Sequence, residues 1–218
     1  MHINCPSESA SESVIDSLRL SIGALSAAHG HRDPYTVRHQ QRTAKLAVAV
    51  GHQLGLAADR LEVLGLAGLI HDIGKIAVPA EILGKPDALT EAEYAVVKTH
   101  CAIGHDILRH LKAPFPLAEI ALQHHERLDG SGYPRGLAGD QILLEARILA
   151  VVDSFDAMTG TRPYRTGLPV DLVLGELRAL AGKLLDAQVV EACQQCILVQ
   201  GADVSRTLSG SDCNSAVA

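Results

Sequence analysis

The stretch of sequence that decides the fold is LEVLGLAGLIHDIGK, residues 61–75. Its first ten residues are almost entirely apolar and show no alternation of polar and apolar positions, which is typical of a buried helix. This helix, predicted over about 58–71, ends in the ionisable pair His71-Asp72. Two such side chains at the end of a core helix are costly unless they are paired or bind a metal. The stretch therefore predicts a core helix with polar chemistry at its C-terminal end.

Helical signals continue on both sides of this stretch. Asp33-Pro34 is a cap residue followed by proline at a first helical position, and Thr90 with Glu93 forms a capping box. Strand-like alternation of Val, Ile and Thr is missing. We therefore predict an all-α fold. The predicted helices cover residues 14–29, 34–54, 58–71, 90–110, 116–125, 145–160, 169–182 and 186–200.

The chain divides into three predicted parts. Residues 1–13 are rich in Ser and Glu without periodicity, and we expect a disordered lead there. Residues 14–200 form one predicted domain, and residues 201–218 are small and polar, as in a flexible tail. Two loops rich in Gly and Pro, 72–89 and 127–144, interrupt the domain. Because functional groups often lie on loops held by a rigid scaffold, both loops are candidates for the site.

Composition and charge limit which partners and which cellular compartment we expect for this protein. The 218 residues carry a formal net charge of -6 and only 3% aromatic residues, which argues against binding to nucleic acid polymers. No run of 18 apolar residues predicts a membrane span, and the first residues lack the pattern of an export signal. The five scattered cysteines favour the cytoplasm over a disulfide scaffold. Cys193 and Cys196 lie inside a predicted helix, so we expect them to pack in the core.

Eleven of the residues are histidines. Several of them, together with two aspartates, lie near helix ends or interrupt apolar stretches on five predicted helices. Imidazole combined with carboxylate suits divalent iron, manganese, zinc or nickel. Because these residues exceed what one tetrahedral ion requires and a carboxylate can bridge two ions, we infer a dinuclear site. Its candidate ligands are His39, His71, Asp72, His100, His124, His125 and Asp153.

Three segments of the chain resemble one known family. HDIGK at 71–75, HHERLDGSGYP at 124–134 and RPYR at 162–165 are similar to the HD-GYP family, bacterial phosphodiesterases of cyclic di-GMP in the HD-domain metal hydrolase superfamily. The likeness spans roughly residues 15–200. It implies an HD-domain helical bundle with a Gly-rich GYP loop.

The resemblance also implies how the ligands are shared between two metal ions. One ion would be held by His39, His71, Asp72 and Asp153. Asp72 would bridge to a second ion, whose other ligands would be His100, His124 and His125. Iron is the expected metal, with manganese as the alternative. Family members with a third metal have a Glu where this chain has Tyr35, so we predict two metals.

Asp72 and Lys75 are the catalytic residues that the resemblance implies. Lys75 lies three residues after Asp72, close enough to direct an ammonium at a phosphate near the metals. The family's substrate contacts carry over to residues that this chain possesses. These contacts are expected at Asp33, Lys75, Tyr133, Asp156, Arg162 and Arg165.

The expected function is hydrolysis of cyclic di-GMP to linear pGpG or onward to GMP, in bacterial second-messenger signalling. Two alternatives stay open: a phosphodiesterase of another cyclic dinucleotide, such as cyclic GMP-AMP, and a non-catalytic module that binds a cyclic dinucleotide or a partner protein. Relatives usually carry a receiver or sensor domain, so sensor or diguanylate-cyclase-type proteins are expected partners, and a homodimer is a further expectation. The chain has Gly160 where the family often has Ser, and residues 182–187 lack a Phe and a Pro that commonly precede the last helix.

Overall fold

The structure, a computed structural model, describes residues 8–32, 34–111, 113–161 and 166–199. Within these ranges it contains helices and two isolated bridges but no strand, which confirms the all-α prediction. The α-helices are α1 Glu8–Arg32, α2 Pro34–Gln53, α3 Ala58–Ile70, α4 Ala80–Leu83, α5 Glu91–Lys98, α6 His100–Leu108, α7 Leu117–Gln123, α8 Leu144–Thr159, α9 Val170–Leu180 and α10 Ala187–Val199. Short 3₁₀ helices cover Ile73–Ala77, Arg109–Leu111 and Gly139–Gln141.

Helices α2, α3 and α8 form the centre of the bundle. The apolar sequence of α3 buries most of its residues between Val63 and Ile70, and α8 buries every residue of Ile148–Val152. Helix α2 packs along both of them. Gly68 allows this approach, because a Cβ at that position would overlap the backbone of Ala44. Core packing therefore determines where the ends of these helices, and the polar residues there, are placed.

The helix predicted over 90–110 consists of two helices that meet at Thr99. The Thr99 backbone N–H and its hydroxyl both donate to the Val96 carbonyl, at 3.1 Å and 2.7 Å, and close a tight turn. Helix α6 then begins at His100. Thr is not a strong helix breaker, so local propensity gave no signal for this turn. The turn matters for the site because it places His100 at the start of a helix.

Two helix starts follow from side-chain caps. The predicted capping box of α5 is confirmed: Thr90 Oγ1 accepts from the Glu93 N–H at 3.3 Å, and Glu93 Oε2 accepts from the Thr90 N–H at 2.7 Å. Helix α10 starts close to its predicted position. Asp186 Oδ1 accepts from the N–H groups of Gln188 and Val189, at 2.9 Å and 3.3 Å. This cap replaces the missing proline as the signal that starts the helix.

Helix α1 begins at Glu8 and so overlaps the second half of the predicted disordered lead over 1–13. Residues 1–7 and the predicted tail from 201 onward lie outside the described residues. Among the described helices, none combines the length and the hydropathy needed to cross a bilayer. Cys193 and Cys196 are buried in the hydrophobic core, as expected for packing residues.

Candidate metal centre

All seven predicted metal ligands lie together in one cluster. Five helices supply them: α2 and α8 from within, α3 and α7 from the residues that directly follow their C-terminal ends, and α6 from its first residue. In that order they are His39, Asp153, His71 with Asp72, His124 with His125, and His100. Residues that are far apart in sequence thus converge on one small volume.

One half of the cluster is built around Asp153. His39 Nε2 lies 3.0 Å from Asp153 Oδ1, and His71 Nε2 lies 3.7 Å from the same oxygen. Asp72 Oδ2 faces this half as well, at 3.5 Å from His71 Nε2 and 3.9 Å from His39 Nε2. Two imidazole nitrogens and two carboxylate oxygens therefore surround one position.

The other half uses the second oxygen of Asp72. Asp72 Oδ1 lies 3.4 Å from His100 Nε2 and 3.8 Å from His124 Nε2, and these two nitrogens are 3.5 Å apart. The ring of His125 packs against both imidazoles, with centroid distances of 5.1 Å to His100 and 4.0 Å to His124. The two oxygens of one carboxylate thus face two separate groups of histidines.

Helix ends orient three of these imidazoles. The last carbonyls of a helix have no partner within the helix. In each case the histidine Nδ1 donates to the carbonyl of the residue three positions earlier, in the last turn of α3, α5 or α7. The distances are 3.0 Å from His71 to Gly68, 2.6 Å from His100 to Val97 and 2.6 Å from His124 to Ala121. With the proton on Nδ1, each Nε2 presents its lone pair to the cluster, the form that binds a metal.

His39 is oriented by a carboxylate instead. Its Nδ1 lies 2.6 Å from Asp156 Oδ2, and Arg42 donates to both oxygens of Asp156, at 2.6 Å and 2.9 Å. Burial opposes protonation of His39, but its hydrogen bonds with Asp153 and Asp156 outweigh this and raise its pKa to about 10. Burial also opposes ionisation of Asp156, yet its hydrogen bonds with His39 and Arg42 lower its pKa.

Asp156, a predicted substrate contact, is enclosed by other residues of the protein. The residue is only 1% exposed, and both of its oxygens are already engaged by His39 and Arg42. Spacing along α8 placed Asp156 correctly on the same helix face as Asp153. It could not show that α2 would cover this carboxylate. Asp156 is therefore placed to orient His39, and its predicted contact with the substrate stays a prediction.

Burial disfavours the charged form of three other imidazoles. It lowers the pKa of His100, lowers that of His124 well below the ordinary value, and lowers the pKa of His125 to about 3. A buried charged imidazole loses its hydration, and its histidine neighbours add repulsion. Neutral imidazole is the form that can donate a lone pair to a cation.

The two carboxylates remain ionised. Burial opposes the charge of Asp72, but the positive charge of Lys75 outweighs it and holds the pKa of Asp72 well below its ordinary value. Burial likewise opposes the charge of Asp153, but its interactions with His39 and His71 outweigh this and keep its pKa well below the ordinary value. Neutral nitrogen donors at His100, His124 and His125 therefore lie beside anionic oxygen donors.

Two buried polar atoms in the middle of the cluster show whether the residues fit a metal ion. His71 Nε2 and Asp72 Oδ1 are buried and have no hydrogen-bond partner among the described residues. A buried polar atom without a partner costs free energy. Groups of donors within 4.8 Å of one another lie on both sides of Asp72, and a cation bound among them would satisfy both atoms. Nitrogen and oxygen donors in this mixture fit divalent transition metals.

Lys75 lies beside the cluster on the 3₁₀ helix Ile73–Ala77. Its Nζ donates to Asp72 Oδ2 at 2.5 Å, and its side chain is 26% exposed. The segment lies against α6, because Gly74 has no side chain: a Cβ there would collide with the carbonyl of His100. An ammonium group thus lies beside the ligands on a side chain that is partly exposed, and the catalytic role of Lys75 stays a prediction.

The GYP loop is held by a buried carboxylate. Glu126 is 2% exposed and accepts from the N–H groups of Arg135 and Leu137, at 2.7 Å and 3.0 Å. Gly132 passes so close to the backbone of Glu126 that a Cβ would not fit. The loop is therefore folded back onto the end of α7, the helix that carries the histidine pair.

This fold of the loop places Tyr133 on a ligand. The rings of Tyr133 and His125 are stacked, with centroids 4.8 Å apart and planes at 28°. Lys98 Nζ lies 4.7 Å from the ring centre of Tyr94 and 5.5 Å from that of Tyr133. Tyr133 thus supports the site from its outer side. Its predicted contact with substrate stays a prediction.

Three predicted contacts, Asp33, Arg162 and Arg165, lie outside the described residues. Tyr35, on which the prediction of two metals rests, lies in α2 one turn before His39.

Sequence reasoning missed two residues of the cluster. Arg42 follows His39 by three positions, and this helical spacing was a signal that it could reach a partner of His39. Cys101 is fully buried and contributes its sulfur to the same donor group as His100, His124 and His125. Its sequence context offered no signal beyond adjacency to a predicted ligand, since a buried cysteine is usually a packing residue.

Comparison with known proteins places this arrangement in a family. The model of the HD domain family matches residues 27–189. The cyclic di-GMP phosphodiesterase response regulator RpfG of Xanthomonas campestris is 43% identical over 176 residues, 80% of this chain and 47% of that protein. The 3'3'-cGAMP-specific phosphodiesterase 3 of Vibrio cholerae is 40% identical over 167 residues, 76% of this chain and 36% of that protein. The chain spans less than half the length of these curated relatives.

A solved structure gives the same result for the fold. The cyclic GMP-AMP-specific phosphodiesterase V-cGAP3 of Vibrio cholerae superposes with a TM-score of 0.56 and 31% sequence identity, over 84% of this chain and 41% of that one. The family model covers most of the chain, and the matched residues include the HDIGK and GYP segments that form the cluster. The chain therefore belongs to the HD domain family, in its HD-GYP branch.

Proposed function

We propose that this protein is a metal-dependent phosphodiesterase that hydrolyses cyclic di-GMP to pGpG or onward to GMP. The observation that carries the proposal is the position of the Asp72 carboxylate between the two halves of the cluster. Its two oxygens face two separate groups of histidines. A carboxylate shared in this way is the feature that a dinuclear hydrolytic centre requires. The names of the relatives supply the substrate class.

The proposed centre holds two divalent ions, iron first and manganese as the alternative. His39, His71, Asp72 and Asp153 would hold one ion. Asp72, His100, His124 and His125 would hold the other. When bound, such a pair supplies an activated water and offsets the negative charge that develops on the phosphoryl oxygens.

The residues of the chain position the substrate and complete the charge balance. Lys75 carries an ammonium that is partly exposed beside Asp72, where it can meet a phosphate oxygen of the bound dinucleotide. The protein has a net charge of -6, so this cation and the metals must create the local attraction for an anionic ligand. Tyr133, Asp33, Arg162 and Arg165 remain the proposed contacts with the rest of the substrate, and the two arginines offer planar donors for phosphate.

A second candidate function is hydrolysis of 3'3'-cyclic GMP-AMP. Relatives with this specificity in their names reach 40% identity, compared with 43% for relatives named for cyclic di-GMP. The two substrates differ in one base, so the metal centre does not distinguish them. Rates measured side by side on both dinucleotides decide between these candidates.

Several features of the whole protein belong to the same proposal. The reaction takes place in the cytoplasm, which the scattered cysteines favour. Sensor or diguanylate-cyclase-type proteins are its partners, and a homodimer is its proposed assembly. Neither a nucleic acid polymer nor a membrane is required for the reaction.

The experiment is product chromatography with metal-loaded protein in reducing, oxygen-free buffer. We expect linear pGpG or GMP to appear from cyclic di-GMP, and turnover to vanish in Asp72→Ala. His110→Ala is the control, because His110 is an exposed histidine outside the cluster and its loss should leave the rate unchanged. Protein that holds two metals and binds the dinucleotide but leaves it intact would contradict the proposal and favour a non-catalytic binding module.

A further inference from the structure

Cys101 is a buried thiol that the proposed function does not use. It directly follows His100, is fully buried, and its Sγ lies 3.5 Å from His100 Nε2. The sulfur and one nitrogen each of His100, His124 and His125 all lie within 4.8 Å of one another. Asp72 Oδ1, the buried oxygen without a hydrogen-bond partner among the described residues, faces the same group at 3.4 Å from His100 Nε2.

These spacings match the edges of a metal coordination shell. Metal–nitrogen bonds of roughly 2.0–2.1 Å and metal–sulfur bonds of roughly 2.3 Å place two tetrahedral nitrogens about 3.4 Å apart, and a nitrogen and a sulfur about 3.6 Å apart. The observed His100–His124 and Cys101–His100 distances are both 3.5 Å. One ion at a common centre can therefore bind all three atoms without a large movement of the backbone.

We propose that Cys101 is a protein ligand to the ion held by His100, His124 and His125, so that this half of the centre has a nitrogen-sulfur donor set. The inference rests on the metal centre of the proposed function. On binding, the S–H bond of Cys101 breaks, a metal–sulfur bond forms, and the proton passes to solvent. No oxidation or reduction takes place.

A thiolate changes which metal this half of the centre selects. Soft sulfur donors favour zinc, cobalt or iron, whereas manganese prefers oxygen-rich sites. The protein should therefore discriminate against manganese at this position more strongly than a site with three imidazoles and a carboxylate alone. The half built around Asp153 contains no sulfur in its donor group and should lack this preference.

Cobalt substitution tests the inference without any measurement of activity. We expect Co²⁺-loaded protein to show a near-ultraviolet sulfur-to-cobalt charge-transfer band, which is lost in Cys101→Ser. The variant should bind Co²⁺ about 10-fold or more weakly at one of two sites and should release one proton fewer on binding. The double variant Cys193→Ala/Cys196→Ala is the matched control, because these buried cysteines lie in the core packing of α10 and should leave the band intact. Thermal unfolding of the metal-free variants checks that both retain the fold.

The outcomes separate this inference from the proposed function. Two bound cobalt ions without the band, or a band that persists in Cys101→Ser, would overturn the role of Cys101 and leave the phosphodiesterase proposal intact. The band without hydrolysis of any cyclic dinucleotide would support the ligand and overturn the activity. Failure to bind cobalt at all would refute both.

Discussion

The carboxylate of Asp156 contacts the His39 nitrogen that faces away from the other ligands, so its removal should weaken metal binding. Asp156→Asn keeps the shape of the side chain but removes the charge that faces His39 Nδ1 at 2.6 Å. Loss of such an outer partner typically weakens metal binding about 10- to 100-fold, and we expect that loss here. Titration calorimetry with Mn²⁺ or Co²⁺ measures it.

Ser154→Ala is the control for this variant. Ser154 lies on the same helix, and its hydroxyl only donates to the Ala150 carbonyl at 2.7 Å, so metal affinity should not change. A variant of Asp156 with normal metal affinity and a raised KM would instead favour direct contact with the substrate, as predicted from the sequence.

The same residues show how far the sequence determines the site. His71 and Asp72 could be identified locally, because a charged pair at the end of an apolar helix has few explanations other than a site. The role of Asp156 depends on Arg42, which is on a different helix, and no local pattern specifies that contact. Cys101 resembles an ordinary packing residue until three imidazoles are found around it.

The contact between the 3₁₀ helix Ile73–Ala77 and α6 depends on a missing side chain. In Gly74→Ala, the new methyl would meet the carbonyl of His100, and the two segments would have to separate. Overpacking of this kind costs about 1–3 kcal/mol in the free energy of unfolding. Denaturant unfolding of the metal-free protein measures this loss, and metal affinity should fall with it because Asp72 and His100 flank the contact.

At a second glycine, substitution by alanine should raise the free energy of unfolding instead of lowering it. Gly175 lies within α9 with no atom near the position of a Cβ. Gly175→Ala should therefore stabilise the protein by up to about 1 kcal/mol through helix propensity alone. Equal effects of the two substitutions would show that the close approach at Gly74 is not required.

The capping box of α5 should make the stability of this helix depend on pH. Hydrogen bonds from Lys85 and from the Thr90 backbone lower the pKa of Glu93 from 4.5 to about 2. Because the folded carboxyl holds its proton less tightly than the unfolded one, its contribution is complete above about pH 4.5 and is lost as the pH falls toward 2. Chemical unfolding at a series of pH values should show a shallower slope across this range in Glu93→Gln. An identical slope in both proteins would mean that the box does not form in solution.

The break at Thr99 was not predictable from the same helix. The capping box has a four-residue signature that can be recognised in any sequence. The turn at Thr99 depends on where α5 and α6 pack, and each half alone has an acceptable helical pattern. His100 was predicted as a candidate ligand from the sequence, but its position as the first residue of a helix follows only from the fold.

Across the whole molecule, the candidate metal ligands come from five helices, so the stability of the protein should depend on metal concentration. A ligand that binds only the folded protein stabilises it by about 2.7 kcal/mol at 100 times its Kd. For a protein of this size each kcal/mol raises the Tm by about 2–4 °C, so saturating metal should raise the Tm by roughly 5–11 °C. Calorimetry in chelator and in a metal series measures the dependence.

Asp72→Ala shows whether the effect of metal on the Tm arises at this cluster. The variant removes the carboxylate that faces both groups of histidines, so its Tm should no longer respond to metal, whereas that of His110→Ala should respond as in the unchanged protein. In the metal-free state the substitution also removes a buried oxygen without a partner, and this partly offsets the loss of the ion pair with Lys75. A Tm that is independent of metal in the unchanged protein would mean that the seven side chains do not bind a cation together, whatever their proximity.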